Sequence, residues 1–295
     1  MAISRLGVRR YYDLNGWLFV GPALSLIALF MIYPIGRSLW MSFQSGRGLM
    51  LQFAGLGNVV RLLHDPVFLK ALGNTILFFV VQVPIMTMLA LILASALNSP
   101  RLWARGLFRT AIFLPCVTSL VAYSVLFKSM FAQDGIVNQA LLGLRLTAAP
   151  IPWMSDPFWA KVLIIIAITW RWTGYNMIFY LSAMQNIDRS IYEVARIDGI
   201  SARGRFFQIT IPMLKPVILF TTVTSTIGTI QLFDEVANIT NGGPSDATLT
   251  LSLYIYNLTF RYMPSFGYAA TVSYVIVTLV AILAFVQFTV ARERD

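Results

Sequence analysis

The sequence predicts an all-α integral membrane protein, and three observations lead to that prediction. Hydrophobic residues make up 58% of the 295 residues, and the mean hydropathy is +0.73. Only 12% of the residues are charged, whereas soluble domains carry about 25%. The apolar residues also gather into runs of about 20, the length that a helix needs to cross a lipid bilayer. These features favour a bundle of transmembrane helices.

Six segments qualify as spans, and the whole chain, 1–295, is expected to form one transmembrane domain. Arginines precede the first span, as they do in a signal peptide, but its apolar run is too long and no small-residue cleavage site follows. We therefore interpret it as a retained span. The predicted spans are about 16–36, 72–97, 107–131, 160–184, 212–232 and 268–290.

Local signals mark several span ends. Asp156 is placed as the N-cap of the fourth span, with Pro157 at its first helical position. Pro100 is expected to end the second span, and the stretch "NGGPSD" (241–246) is expected to form a tight turn.

Charge distribution predicts the orientation. The two tails and the short loop 98–106 are rich in Arg for their length. Since cytoplasmic segments carry the excess of Lys and Arg, both termini are expected in the cytoplasm. The longer loops 37–71, 132–159 and 233–267 then lie outside.

Composition also excludes some classes of function. The net charge of +10 is spread in short clusters between apolar runs, which is the pattern of membrane topology, so no nucleic-acid partner is expected. One Cys and one His exclude an intrachain disulfide and a His/Cys metal cluster, and no metal site is predicted.

The most charged and turn-rich stretch is the predicted cytoplasmic loop 185–212. Ser190 and Glu193 have the S-x-x-E spacing of a capping box, which predicts a helix from Ile191. Gly199 is expected to end that helix in a left-handed conformation. Ser201 then caps a second short helix, 202–210, before Pro212 opens the fifth span. Two short helices meeting at a Gly elbow indicate a docking surface for another protein.

This loop reads Glu193-Val194-Ala195, three residues, Gly199, nine residues, and Ile209-Thr210-Ile211-Pro212. That pattern resembles a loop in a known family, the inner-membrane permease subunits of binding-protein-dependent ABC importers. Their loop is written E-A-A-x3-G-x9-I-x-L-P. The longer form "YEVARIDG…RFFQITIPMLKP" and the outside stretch "ITNGGPSDATLTLSLYIY" are similar to the carbohydrate-importer branch. The segment "FAGLGNVVRLLHDPVFLKALGNT" (53–75) is similar as well, so the resemblance covers nearly the whole chain.

The resemblance implies a six-helix permease bundle in which 185–212 is a coupling loop that docks on a cytoplasmic ATPase. The implied partners are a second homologous permease, two ATPase subunits, a periplasmic or lipid-anchored solute-binding protein and a sugar, in the inner membrane of a bacterium. No Lys follows a Gly in this chain, so it lacks a Walker A motif. It needs no cofactor itself, because ATP and Mg are bound by the partner. The coupling residues that the resemblance implies are Glu193, Ala195, Asp198, Gly199, Ile209 and Pro212.

Residues of the fourth and fifth spans are candidates for the substrate pathway. Arg171 lies in mid-span, which is consistent with a structural ion pair or with a functional site. Helical spacing places Ile168, Arg171, Trp172 and Tyr175 on one face, and Thr221, Ser225 and Thr229 on another, with Gly228 beside them. We expect stacking from Trp172 and Tyr175, donation from Arg171, and hydrogen bonds from Ser225 and Thr229. The alternative is that the other permease alone binds sugar.

The leading function is therefore import of a sugar, expected to be a di- or oligosaccharide, by alternating access. A polyol or glycerol-phosphate substrate is the alternative. An intramembrane enzyme would need a nucleophile with a base or paired carboxylates within the spans, and the spans lack them. A channel would function without the coupling loop. The chain is thus expected to be a transporter subunit and not an enzyme.

Overall fold

A computed structural model describes residues 5–48, 50–99 and 102–292. Within these residues, four helices are long and apolar enough to cross a membrane. Two further candidates are pairs of helices bent by 104° and by 72° at a short break. Counting each bent pair as one span gives up to six, which agrees with the predicted all-α membrane fold. The four long helices are Gly16–Ser42, Pro66–Asn98, Pro157–Gln185 and Phe266–Ala291.

The described elements follow one another with short connections. Three five-residue π-helical stretches interrupt or extend the α-helices, at Ala28–Ile32, Phe206–Thr210 and Asn257–Arg261. The remaining elements are α1 (Arg5–Ile27), α2 (Tyr33–Ser42), β1 (Gln44–Arg47), β2 (Met50–Phe53), α3 (Gly57–Leu63), α4 (Pro66–Asn98), α5 (Arg105–Val117), α6 (Leu120–Met130), α7 (Ile136–Gly143), α8 (Pro157–Gln185), α9 (Arg189–Ile197), α10 (Ala202–Arg205), α11 (Ile211–Met213), α12 (Lys215–Ile230), α13 (Asp234–Ile239), α14 (Leu251–Tyr256) and α15 (Phe266–Arg292).

The described residues group into two compact units. The first comprises the chain up to Leu63 together with Leu258–Tyr274. Its β1 and β2 form an antiparallel hairpin that the sequence analysis did not predict, because four-residue strands without apolar alternation give little signal. The Asn58 side chain donates to the carbonyl oxygens of Ser42 and Gln44, both at 2.8 Å, and so joins α3 to the hairpin.

The second unit comprises His64–Asn257 and the chain from Val275 onward. It is organised around α8, which packs along α4 and also against α5 and α12. A Cβ on Gly174 would overlap the carbonyl oxygen of Ile112 and lie 2.9 Å from its carbonyl carbon. Glycine at this position therefore allows α5 and α8 to approach closely. An apolar cluster fills the space between the helices: Ala90, Leu91, Ala94, Leu97, Met177, Tyr180, Leu181, Met184 and Leu214.

Two predicted spans are not the continuous helices that the sequence suggested. The segment 107–131 is broken between α5 and α6, where Thr118 and Ser119 are extended, with ψ of 150° and 133°. Pro115 lies one turn earlier in α5 and removes a helical hydrogen bond there. The prediction that Pro212 opens the fifth span is wrong, since the long helix starts only at Lys215, after the 72° bend.

The predicted span ends agree more closely with the structure. The carboxylate of Asp156 accepts the backbone N–H groups of Phe158 and Trp159, at 2.9 and 3.0 Å, which confirms the N-cap of α8. In the turn 241–246, four residues have positive φ, as a tight turn requires. The second span, α4, ends at Asn98, while Pro100, which was expected to end it, lies outside the described residues.

Candidate substrate cavity and coupling loop

A cavity of about 230 Å³ lies between α4, α8 and α12 in the second unit. The helices present one apolar side and one hydroxyl- and amide-bearing side to it. The cavity is therefore neutral along its wall. Its lining residues are Gln82, Met86, Ile168, Trp172, Tyr175, Thr224, Ser225, Gly228, Thr229 and Leu232.

Four of the five predicted pathway residues line this cavity: Trp172, Tyr175, Ser225 and Thr229. They come from two helices, so the two faces predicted from helical spacing do meet. Thr221, which continues the α12 face, is one turn further along. Its hydroxyl is bonded to that of Tyr180 at 2.6 Å, and it does not line the cavity.

The polar wall is a connected network. The Thr229 hydroxyl donates to the amide oxygen of Gln82 at 2.9 Å, and the Gln82 amide nitrogen donates to the sulfur of Met86 at 3.1 Å. The Ser225 hydroxyl lies 3.5 Å from the amide oxygen of Asn176. Sequence reasoning missed Gln82, which is 1% exposed. An amide within the apolar run of α4 was the signal that could have identified it, because buried amides need partners.

Two aromatic rings form another part of the wall. The rings of Trp172 and Tyr175 stand edge to face, with centroids 5.8 Å apart and planes at 87°. Tyr175 also packs edge-on against Phe179, at 5.0 Å. Because each ring packs against a neighbour on the same helix, the two rings present surfaces of fixed orientation to the cavity.

Arg171 does not line the cavity, which differs from the prediction that it donates to a substrate. Its guanidinium Nη1 lies 3.4 Å from Oε1 of Glu235, and both residues are buried, at 8% and 4% exposure. An unpaired buried cation is costly, so the side chain turns to the carboxylate. The structure therefore has the ion pair that was the alternative interpretation of this residue.

Glu235 was missed as a functional candidate. It follows Asp234 in α13, and of these two adjacent carboxylates Asp234 is exposed whereas Glu235 is buried. Burial raises the pKa of Glu235, while its own backbone N–H, the charge of Arg171 and the Trp172 side chain oppose that rise. No periodic signal in the sequence links it to Arg171, which lies 64 positions away.

The coupling loop folds as two short helices, but the first cap differs from the prediction. The helix α9 begins at Arg189, and the Asp188 carboxylate accepts the N–H of Ser190 at 2.9 Å. The predicted capping box of Ser190 and Glu193 is therefore wrong. Aspartate caps at least as well as serine and adds a negative charge at the positive end of the helix. That hydrogen bond holds the pKa of Asp188 below its usual range.

The elbow has the geometry that the sequence predicted. Gly199 has φ of +73°. The backbone N–H of Ile200 donates to the carbonyl oxygen of Ala195 at 2.9 Å, and the N–H of Gly199 donates to the carbonyl oxygen of Arg196 at 3.1 Å. These are the two hydrogen bonds of a Schellman motif. Ser201 caps the following helix by accepting the N–H of Gly204 at 3.1 Å.

A second contact holds the two helices of the loop together. The hydroxyls of Tyr192 and Thr210 are 3.0 Å apart, which ties α9 to the segment beyond the elbow. The bend therefore rests on the backbone at Gly199 and on a side-chain hydrogen bond.

The coupling residues are mostly on the surface of the loop. Glu193, Asp198, Gly199 and Pro212 are exposed, Ile209 is partly buried, and Ala195 is 4% exposed. Beside them, Ile197 is 84% exposed and Val194 is 55% exposed. Exposed aliphatic side chains next to charged ones are typical of a protein-binding surface.

In the described part of the chain, no three His, Cys, Asp or Glu side chains come together in a way that would hold a metal ion. The groups that line the cavity are neutral, and they can offer hydrogen bonds and aromatic ring surfaces.

These features define a membrane-embedded transport subunit, and the chain belongs to the family described as binding-protein-dependent transport system inner membrane component, whose model matches residues 86–294. The predicted family is thereby confirmed. The chain is 70% identical over 293 residues to the lactose transport system permease protein LacF of Rhizobium radiobacter, covering 99% of this chain and 98% of that protein. It is 31% identical over 274 residues to the arabinooligosaccharides transport system permease protein AraP of Halalkalibacterium halodurans, covering 92% and 85%.

A solved structure has the same fold. A bacterial ABC transporter involved in the import of the acidic polysaccharide alginate contains a chain that aligns with a TM-score of 0.84 at 21% identity, covering 98% of this chain and 99% of that one. At that identity the likeness concerns the fold. The family match and the 70% identical permease show the role: the chain is a permease subunit and an inner-membrane component of a transporter.

Proposed function

We propose that this chain is one of two permease subunits of an ATP-driven importer for lactose or a closely related neutral disaccharide. The observation that carries the proposal is the neutral cavity, which is lined by the rings of Trp172 and Tyr175 and by the polar side chains of Gln82, Ser225 and Thr229. The 70% identity to a lactose permease over nearly the whole chain supports the choice of sugar.

The cavity chemistry fits a sugar. A pyranose ring has apolar C–H patches on its faces, which pack on aromatic rings, and hydroxyls at its edge, which bond to amides and hydroxyls. Trp172 and Tyr175 are proposed to stack on the sugar ring. Ser225, Thr229 and Gln82 are proposed to bond its hydroxyls.

The alternative, a glycerol-phosphate or another anionic substrate, is disfavoured by Arg171. An anion would require a cation facing the cavity. The guanidinium of Arg171 is outside the cavity lining and is already paired with Glu235. A neutral polyol would fit the hydroxyl-binding wall but would make little use of two aromatic rings.

The cavity volume supports a site shared with a second permease. Small-molecule sites usually enclose about 300–1,000 Å³, and this cavity has about 230 Å³. Trp172 is still 37% exposed. A second, homologous permease is proposed to cover this side and to complete the site. The extreme form of this arrangement, in which only the other subunit binds sugar, is the outcome that the variants below would reveal.

The energy is proposed to come from separate ATPase subunits that dock on the coupling loop. Exposed Glu193, Asp198 and the aliphatic side chains of Val194 and Ile197 would form the contact. ATP and Mg would be bound by those subunits. A periplasmic or lipid-anchored binding protein is proposed to deliver the sugar from outside, and both termini of this chain are proposed to lie in the cytoplasm.

The test is ATP-dependent uptake of radiolabelled lactose into proteoliposomes that contain this chain with its partner subunits and binding protein. Trp172→Ala, Tyr175→Ala and Ser225→Leu are expected to lower uptake or to change sugar preference, while basal ATP hydrolysis remains. Loss of one neutral hydrogen bond costs about 0.5–1.5 kcal/mol, so Gln82→Leu is expected to have a smaller effect than removal of a ring.

Thr289→Leu is the matched control, because this span hydroxyl is exposed and donates to the carbonyl oxygen of Phe285 in its own helix. It is expected to transport like the parent. If the ring and hydroxyl variants assemble and also transport like the parent, the sugar site is not in this cavity. Transport of glycerol phosphate in preference to lactose would overturn the proposed substrate.

A further inference from the structure

The buried ion pair of Arg171 and Glu235 stands directly behind the aromatic wall of the cavity. The Cζ atom of Arg171 lies 5.5 Å from the ring centroid of Trp172 and 5.5 Å from that of Tyr123. Trp172 lines the cavity, whereas Arg171, Glu235 and Tyr123 do not. The guanidinium is therefore placed between two rings, one of which faces the cavity.

The position of the guanidinium is set by Glu235. This carboxylate comes from α13, a different element from the α8 that carries both Arg171 and Trp172. Its 3.4 Å contact to Nη1 draws the guanidinium toward α13. Since α13 packs against both α6 and α8, the carboxylate is itself fixed by that packing.

The guanidinium is held by few other groups. Its Nε is buried without a hydrogen-bond partner. A buried charge with an unsatisfied N–H is costly to stability, so a purely structural origin for the pair is weak. Guanidinium groups interact favourably with indole faces, and the interaction strengthens when both are shielded from water.

We infer that Glu235 and Arg171 are positioning residues that fix the indole of Trp172 in the orientation that receives the sugar. The inference rests on the proposed function, because it assigns to Trp172 a contact with sugar. Arg171 thereby acts on the substrate through Trp172, and Glu235 acts through its contacts with both Arg171 and the Trp172 side chain. Neither side chain touches the sugar.

The positioning role makes a specific prediction about paired substitutions. Arg171→Met with Glu235→Leu removes both charges at similar volume, and such replacements of buried pairs are often neutral for stability. The double variant also leaves no cation on the indole face. We expect it to assemble normally and to lower ATP-dependent lactose uptake by about three- to tenfold. Arg171→Lys keeps the cation and is expected to retain more uptake than the double variant.

The same substitutions in a Trp172→Ala background distinguish positioning from a general structural effect. If the pair acts through Trp172, the triple variant should transport like Trp172→Ala alone. Two results would overturn the inference. One is parental uptake by the Arg171→Met/Glu235→Leu variant. The other is a triple variant that falls below Trp172→Ala by the same factor as the double variant falls below the parent.

A spectroscopic measurement keeps the inference testable if a variant assembles poorly. The complex is labelled with 5-fluorotryptophan, and the fluorine resonances of Trp172 and Trp159 are assigned by Trp172→Phe and Trp159→Phe. The conservative change Glu235→Gln should shift the Trp172 resonance and leave that of Trp159 in place. An unshifted Trp172 resonance refutes the positioning. Parental uptake by Trp172→Ala would instead refute the proposed sugar contact. The Trp172 resonance in the Glu235→Gln variant would still test whether the ion pair positions the indole.

Discussion

Replacement of Gly199 tests whether the bend of the coupling loop is needed for transport. The residue has φ of +73°, and nothing lies within 4 Å of a Cβ built on it. The expected cost of a substitution is therefore conformational and not steric. For an ordinary residue the left-handed conformation costs about 1–2 kcal/mol, which lowers the ratio of bent to unbent loop by a factor of about 5–30.

The cost depends on the side chain in a way that gives a graded series. Asparagine tolerates the left-handed region, alanine less so, and a β-branched valine least. We therefore expect sugar uptake to fall in the order Gly199, Asn, Ala and Val, with Gly199→Val close to inactive. The chain should remain in the membrane in every case, because the elbow is exposed.

The assay is ATP-driven uptake per assembled complex, together with co-purification of the ATPase. Gly106→Ala is the matched control, since this exposed glycine lies in α5 without a positive φ and a Cβ on it also meets nothing within 4 Å. It should be neutral or slightly stabilising. Normal uptake by Gly199→Val, or an equal loss from Gly106→Ala, would refute the reasoning.

Other properties of the chain give further predictions. Topology predicts that Ser245→Cys, in a background without the native cysteine, reacts with an impermeant thiol reagent from outside and that Arg203→Cys does not; the reverse pattern would overturn the proposed orientation. Gly174→Ala should lower the thermal stability of the purified chain, because its Cβ would overlap the carbonyl of Ile112. The stabilisation that Asp188 gives to α9 is present above its unfolded pKa and is lost as pH falls through its lowered folded pKa. Asp188→Ala should therefore weaken ATPase binding at neutral pH, as measured by co-purification. ATPase binding by the parent chain should decline as the pH falls, and binding by this variant should not show that decline.

The fold was largely predictable because the bilayer imposes a length and a composition on each span. The apolar runs that predicted spans correspond to α4, α8 and α15 as single long helices. The breaks were harder to predict. In the third predicted span, Pro115 precedes the break, but a proline within a span often leaves the helix continuous because neighbouring groups satisfy the freed carbonyl. Whether such a helix bends depends on its neighbours, which the local sequence does not specify.

The cavity could be predicted from helical spacing on α8 and α12, since residues at i, i+3, i+4 and i+7 share a face. Spacing does not reveal which third helix completes the wall. Gln82 lies in α4, and its bond to Thr229 joins residues 147 positions apart. The prediction of the α9 cap failed for a local reason. Asp188 and Ser190 are both suitable caps, and the sequence does not show which of these two residues starts the helix.

For Arg171, the sequence indicates that an acidic partner is needed but does not identify that partner. A cation in the middle of a span costs about 2.5–3.5 kcal/mol, so a partner is required. The nearest acidic residues along the chain lie beyond the ends of α8, at Asp156 and Asp188, and both are occupied as helix caps. The partner must then come from a segment that the hydropathy pattern places outside the spans. Glu235 meets this condition only because the chain turns after α12 and packs α13 against α6 and α8. An unpaired cation in a predicted span therefore indicates that a flanking polar segment folds back against the bundle, even where the hydropathy pattern predicts only a loop.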